Sequence, residues 1–89
     1  MGVAEAWSRG LTGLGVLVVH VDDGLDFRHP DLRPNYAPDA SFDLVDADPV
    51  PLPGSNRSYH GTSMAGIVAA AGNNSVCSVG IAHEASVGE

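Results

Sequence analysis

A single cysteine, Cys77, stands in a chain of 89 residues, so no disulfide can close within it. Chains of this size bury a modest core and commonly lean on such staples. Basic side chains are scarce as well. Four Lys and Arg against 11 Asp and Glu give a formal net charge of -7, which argues against a phosphate-backbone partner and so against nucleic acid. The same balance suits a cationic ligand, a metal or a basic peptide. No stretch approaches the roughly 18 apolar residues of a membrane span. Met1 is followed at once by "GVAEAW", with neither a basic nor an apolar leader region, so no signal peptide is read in this chain.

What is present describes a loop-rich globular sequence: 11 glycines, 6 prolines and 44% hydrophobic residues, without the long charged runs of a disordered tail. Residues 3–9, "VAEAWSR", read as a short helix closed by Gly10, with Trp7 covering the start of the core, and "TGLG" at 12–15 as a turn. "VLVVHV" at 16–21 is a near-continuous apolar run of strand length, which suits a buried parallel strand. From Gly24 to Pro53 the chain is rich in Asp and Pro and predicts loop, with a short strand at Ala40–Asp43. "GTSMAGIVAAA", Gly61 to Ala71, is small and apolar on nearly every face, as in a helix buried in an α/β layer. A loop, "GNNSVCSVG", comes next, and a second strand is expected from Ala85. The closing "EASVGE" reads as the opening of that strand, so residues 1–89 are expected to be part of a longer domain.

The order of strand, carboxylate, loop, histidine and helix carries chemistry. Asp22 and Asp23 lie where the first apolar strand ends, and active sites of open α/β sheets form at the carboxyl ends of strands. His60 lies where the small-residue helix begins. A carboxylate there can accept a hydrogen bond from the imidazole Nδ1, fix the tautomer, and leave Nε2 free to take a proton from a hydroxyl nucleophile. An acidic pair after an apolar strand also opens magnesium-binding receiver domains. In those the chain passes directly into a helix, and "GLDFRHPDL" is a poor one.

The motifs "GVLVVHVDDGLDFRHPDL", "NYAPDASFDLVDADPVPLP", "HGTSMAGIVAA" and "NNSVCSVGIAHEASVG" resemble, in that order, the first part of the catalytic domain of kexin/furin-like proprotein convertases, a branch of the subtilisin-like serine proteases. The likeness runs from about Ala4 to Gly88. It implies an α/β fold, namely part of a three-layer arrangement with a mainly parallel sheet, and a calcium-dependent serine endopeptidase acting on peptides or proproteins after basic residues. Asp22 corresponds to the catalytic aspartate and His60 to the general base. Asp23 corresponds to an acidic residue lining the subsite for the second substrate residue. A further acidic residue expected three before the histidine is replaced by Arg57, which weakens the case for strict dibasic preference. Calcium is implied as cofactor, held by Asp31, the side chain of Asn74 and the backbone carbonyls of Ala71, Val76 and Ser78. Asp43, Asp46 and Asp48 are either a second, weaker cation site or a solvated acidic loop.

Gly-Thr-Ser at 61–63 also matches the pattern around the family's nucleophile, but the run after Ser63, "MAGIVAAAGNN", is the one that continues the histidine motif. The resemblance therefore makes Ser63 an ordinary helix residue and places the nucleophile outside these 89 residues. Cys77 corresponds to a cysteine that in the convertases bridges to one near the nucleophile. That pairing implies an oxidising compartment, the secretory pathway or the cell exterior, for a longer protein that could also carry an inhibitory propeptide. The sequons Asn56-Arg57-Ser58 and Asn73-Asn74-Ser75 are compatible with that setting. The reading from another class is a non-catalytic calcium-binding pseudo-protease module.

Overall fold

The computed structural model describes all residues from 1 to 89. Helix α1, Val3–Ser8, is short and stops where Gly10 takes a left-handed φ of 78° and returns its N–H to the Trp7 carbonyl. Trp7 does not join the buried core; its indole N–H donates to the Ile81 carbonyl at 2.8 Å and its ring meets His83 edge-on. Strand β1, Leu17–Val19, pairs in parallel with β2, Ser86–Gly88, in the register Leu17↔Ser86 to Val19↔Gly88. On the far side of β2, Tyr36 makes a parallel bridge to Val87, so β2 runs through the middle of the paired segments. The α/β character and the parallel pairing are as expected from the sequence.

The apolar run around β1 is less buried than its composition suggests. Leu17 and Val19 are each 51% exposed. Helix α2, His60–Ala69, packs on the face of β2 that carries Val87, the register partner of Val18, whereas Leu17 and Val19 point to the opposite face, and a parallel strand is buried only when elements cover both its faces. The segment 40–43 forms no strand. Pro38–Ala40 is a 3₁₀ turn, and Asp43 instead pairs with Asp48 across a tight loop.

Helix α2 begins one residue earlier than Gly61 and ends two before Ala71, because Ala70 turns extended and the Ala71 N–H goes to the Asp31 carbonyl at 2.7 Å. Its buried face is Gly61, Ala65 and Ala69, spaced four apart on one stripe, and these small residues let the backbone come close to its neighbours. The returning chain satisfies the carbonyls left open at the helix end: Ile81 N–H bonds Ile67, Ala82 N–H bonds Val68, and Gly80 N–H bonds Ala70. Only Gly fits at 80, where a Cβ would lie 2.5 Å from the Ala70 nitrogen. Leu25, Leu32, Ala65, Ala69 and Val87 form the core, with Phe27 stacked on Tyr36 at its edge. This core ties α2 to β2 and to the loop after β1, and so brings the end of β1 against the start of α2.

Candidate active site

Past β1 the chain runs through Asp22 and Asp23 and turns at Gly24, which has φ 118° and a position where a Cβ would lie 2.7 Å from Pro53 Cα. No L side chain fits there. The turn is braced from both sides: Gly24 N–H donates to Glu89 Oε1 at 2.8 Å, and Leu25 N–H to the Pro51 carbonyl at 2.6 Å. Asp26 N–H donates to Thr62 Oγ1 at 2.9 Å, which ties the turn to the first turn of α2.

His60, the first residue of α2, directs its ring at Asp22. Nδ1 lies 2.9 Å from Oδ1 and 2.8 Å from Oδ2. An ionised carboxylate only accepts, so Nδ1 carries the proton and donates to both oxygens. The ring is 64% exposed and the Asp22 side chain 20%, so the other ring nitrogen lies on the solvent side. Asp22 is itself held by the Asp23 N–H at 2.8 Å. The hydrogen bond from His60 pulls the Asp22 carboxyl below its ordinary value, and the same bond raises the imidazole. Asp23 turns its carboxylate to the helix backbone instead, accepting from Gly61 N–H at 2.7 Å and from His60 N–H at 3.3 Å.

Ser63 does not join this group. Its hydroxyl donates to the Tyr59 carbonyl, one turn back, at 2.9 Å. A cavity of about 630 Å³ opens beside Asp22 and Asp23, and Asp39, Asp43, Asp46 and Glu89 add carboxylates to its wall. No Lys or Arg lines it. Burial raises the Glu89 carboxyl, with Asp22 and Asp23 adding to the effect.

Of the second predicted group, Asp31 and Asn74 meet, while Ser78 and Ala71 reach Asp31 through their N–H groups rather than their carbonyls. Asp31 is 3% exposed. Its Oδ1 accepts from Asn74 Nδ2 at 2.8 Å and its Oδ2 from the Ser78 N–H at 3.0 Å. The loop reaches it through residues in left-handed backbone, Asn73 at φ 59° and Ser75 at φ 58°. These bonds, that of Asn74 first, lower the Asp31 carboxyl. No Lys or Arg pairs with it, so the buried negative charge is balanced chiefly by hydrogen-bond dipoles, with His29 adding to them, a setting that fits an oxygen-liganded hard cation. Asn74 donates its amide N–H to Asp31 and accepts from the Val76 N–H at its Oδ1, so binding a cation would require that amide to turn. Asp43 and Asp48 spend their carboxylates on their own turns, at the N–H groups of Val45, Asp46 and Val50. With Asp46 they make no carboxylate cluster able to hold a metal. Cys77 is exposed and free.

Against known proteins, the model of the subtilase family matches residues 13–89. The chain belongs to the subtilase family. Among subtilases, it is 50% identical to furin of Rattus norvegicus over 91 residues, covering 99% of this chain and 12% of furin. It is 52% identical to proprotein convertase subtilisin/kexin type 5 of Branchiostoma californiense, again over 91 residues and 99% of this chain, but 5% of the relative. The solved serine protease of Aeromonas sobria superposes with a TM-score of 0.81 at 42% identity, over 89% of this chain and 13% of that one. The chain thus spans about an eighth or less of these proteins, within the furin/kexin-like branch of the subtilases.

Three contributors were not singled out from the sequence. Thr62 lies inside the His-Gly-Thr motif, which could have signalled its role. The close approach of Gly61 to Gly24 was signalled only by glycine itself. Glu89 carries no local signal, because its bond to Gly24 spans 65 positions.

Proposed function

We propose that this subtilase segment supplies the aspartate and the general base of a calcium-dependent serine endopeptidase that cleaves peptides or proproteins after basic residues. The observation that carries the reading is the two-oxygen grip of Asp22 on His60 Nδ1, with the opposite ring edge turned to solvent. Asp22 holds the imidazole in the tautomer whose Nε2 accepts, and stabilises the imidazolium once formed. His60 takes the proton of a serine hydroxyl as that oxygen attacks the scissile carbonyl, then returns it to the leaving amine. The serine is contributed from outside these residues, which agrees with Ser63 being turned back on Tyr59. The acidic wall around Asp22 and Asp23 favours a cationic peptide, with Asp23 facing the second substrate residue.

Calcium would be held by Asp31, Asn74 and the carbonyls of Ala71, Val76 and Ser78. When bound it supplies a fixed positive charge that locks the loop after α2. Cys77 pairs with a cysteine elsewhere in the protein, which places that protein in the secretory pathway or outside the cell, with an inhibitory propeptide as a further partner. The test is hydrolysis of a fluorogenic Arg-Arg peptide by the full-length protein carrying this chain. Cleavage after Arg that His60→Ala abolishes is expected, and none from residues 1–89 alone. Turnover by the isolated chain, lost on Ser63→Ala, would overturn the assignment of the nucleophile.

A further inference from the structure

The first N–H groups of a helix have no partner within it, and α2 carries no capping side chain of its own: Tyr59, before it, makes no such bond, and its first turn has no acidic residue. The missing acceptor comes from across the cleft. Asp23 places Oδ1 on the Gly61 N–H and Oδ2 on the His60 N–H, a separation of 37 positions for the latter. Two neighbouring carboxylates therefore converge on one histidine, Asp22 on the ring and Asp23 on the backbone beneath it. Successive residues of an extended strand face opposite ways. Here they converge because Asp22 and Asp23 lie beyond the end of β1, where the backbone itself bends.

We propose that Asp23 is a positioning residue for His60, a cap supplied from the strand side that fixes the start of α2 and thereby holds the imidazole against Asp22. The inference rests on His60 being the general base and adds a role distinct from any contact of Asp23 with substrate. A carboxylate has about four lone-pair sites and two are used here, so both roles are compatible and each has its own kinetic mark. Loss of a substrate contact raises KM for peptides with Lys or Arg at the second position. Loss of positioning lowers kcat for every peptide, including one with a neutral residue there.

The full-length protein is compared with Asp23→Ala and Asp23→Asn on two Arg-terminated peptides, one with Lys and one with Ala at the second position. Losing both bonds should lower kcat about two- to thirtyfold on the Ala-containing peptide at nearly constant KM, the size of a lost helix cap. Asn keeps one acceptor and should recover most of that. The second readout is the downfield proton signal of the His60 Nδ1–H, expected in the wild type and in Asp23→Asn, and broadened or lost in Asp23→Ala. A loss confined to KM and to the Lys-containing peptide, or a lowered Tm with kcat and the His60 signal unchanged, would overturn the proposal. If wild type cleaves neither peptide, the protease reading fails and the His60 signal alone decides for or against positioning. If Asp23→Ala does not fold, Asp23→Asn decides: its small remaining loss must fall on kcat and be equal for both peptides, and a loss confined to KM for the Lys-containing peptide overturns the proposal.

Discussion

Replacing Gly61 with alanine sets two effects of opposite sign against each other within the site. Alanine is favoured over glycine in a helix by up to about 1 kcal/mol, so Gly61→Ala stabilises α2 if the new methyl has room. It has none: the Cβ would lie 2.4 Å from the Gly24 carbonyl oxygen, 3.1 Å from Asp22 Cβ and 3.2 Å from Asp23 Oδ1. The Gly24 carbonyl has little room to yield, because its turn is held by the Gly24 N–H bond to Glu89 and the Leu25 N–H bond to Pro51. Ordinary contact therefore requires the start of α2 to retreat by about 1 Å. Overpacking costs about 1–3 kcal/mol, and the retreat also weakens the bonds of Gly61 and His60 to the Asp pair, about 1 kcal/mol each. Net of the helix propensity gained, destabilisation of about 2–4 kcal/mol is expected. A displacement of about 1 Å also takes the 2.8 Å Asp22–His60 bond beyond hydrogen-bond reach, with an expected loss of about 10²-fold in kcat/KM. Gly66→Ala is the control, since a Cβ there meets nothing within 4 Å, and it should be neutral or stabilising with full activity. Denaturant unfolding and peptide hydrolysis of the full-length protein read both quantities. If Gly61→Ala behaves like Gly66→Ala, the close approach of α2 to the Gly24 turn is not what sets the site's geometry.

Asp22→Asn should lower kcat about 10⁴-fold by losing the tautomer of His60. Because Asp22 raises His60, activity in the wild type falls on the acid side from above the ordinary imidazole value of 6.5, and the residual activity of Asp22→Asn should fall from a lower pH. In stability, the raised His60 contributes fully below 6.5 and loses its contribution as pH rises through its folded value. The lowered Asp22 contributes above 3.8 and loses it as pH falls through its own. The Tm difference between wild type and Asp22→Asn should therefore be greatest between those values and shrink on either side. Ser63→Ala should leave hydrolysis by the full-length protein within about twofold, since its hydroxyl serves only Tyr59. A calcium titration should raise the Tm of the wild-type full-length protein and do so less in Asp31→Ala, and an equal rise in both would remove Asp31 from the site.

Residue type and spacing along the chain were enough to identify the apolar strand, the acidic pair at its end and the histidine at the start of a small-residue helix, each a local pattern of neighbours a few positions apart. The meeting of Asp31 with Asn74, 43 positions away, was expected only from the resemblance to the convertases. The helix limits were legible only to within two residues, because Ala70 turns extended and Ala71 is drawn off by the distant Asp31 carbonyl. The exposure of β1 was not legible at all, since an apolar run states that burial is favourable but not what lies above it. Tertiary structure alone decided how the two adjacent aspartates divide their work. Asp22 and Asp23 have the same side chain, and only the bend of the backbone at these two residues and the packing of α2 on β2 determine that one meets the ring of His60 and the other its backbone. Glu89 joins them for the same reason: parallel pairing of β1 with β2 brings together residues that no local pattern relates.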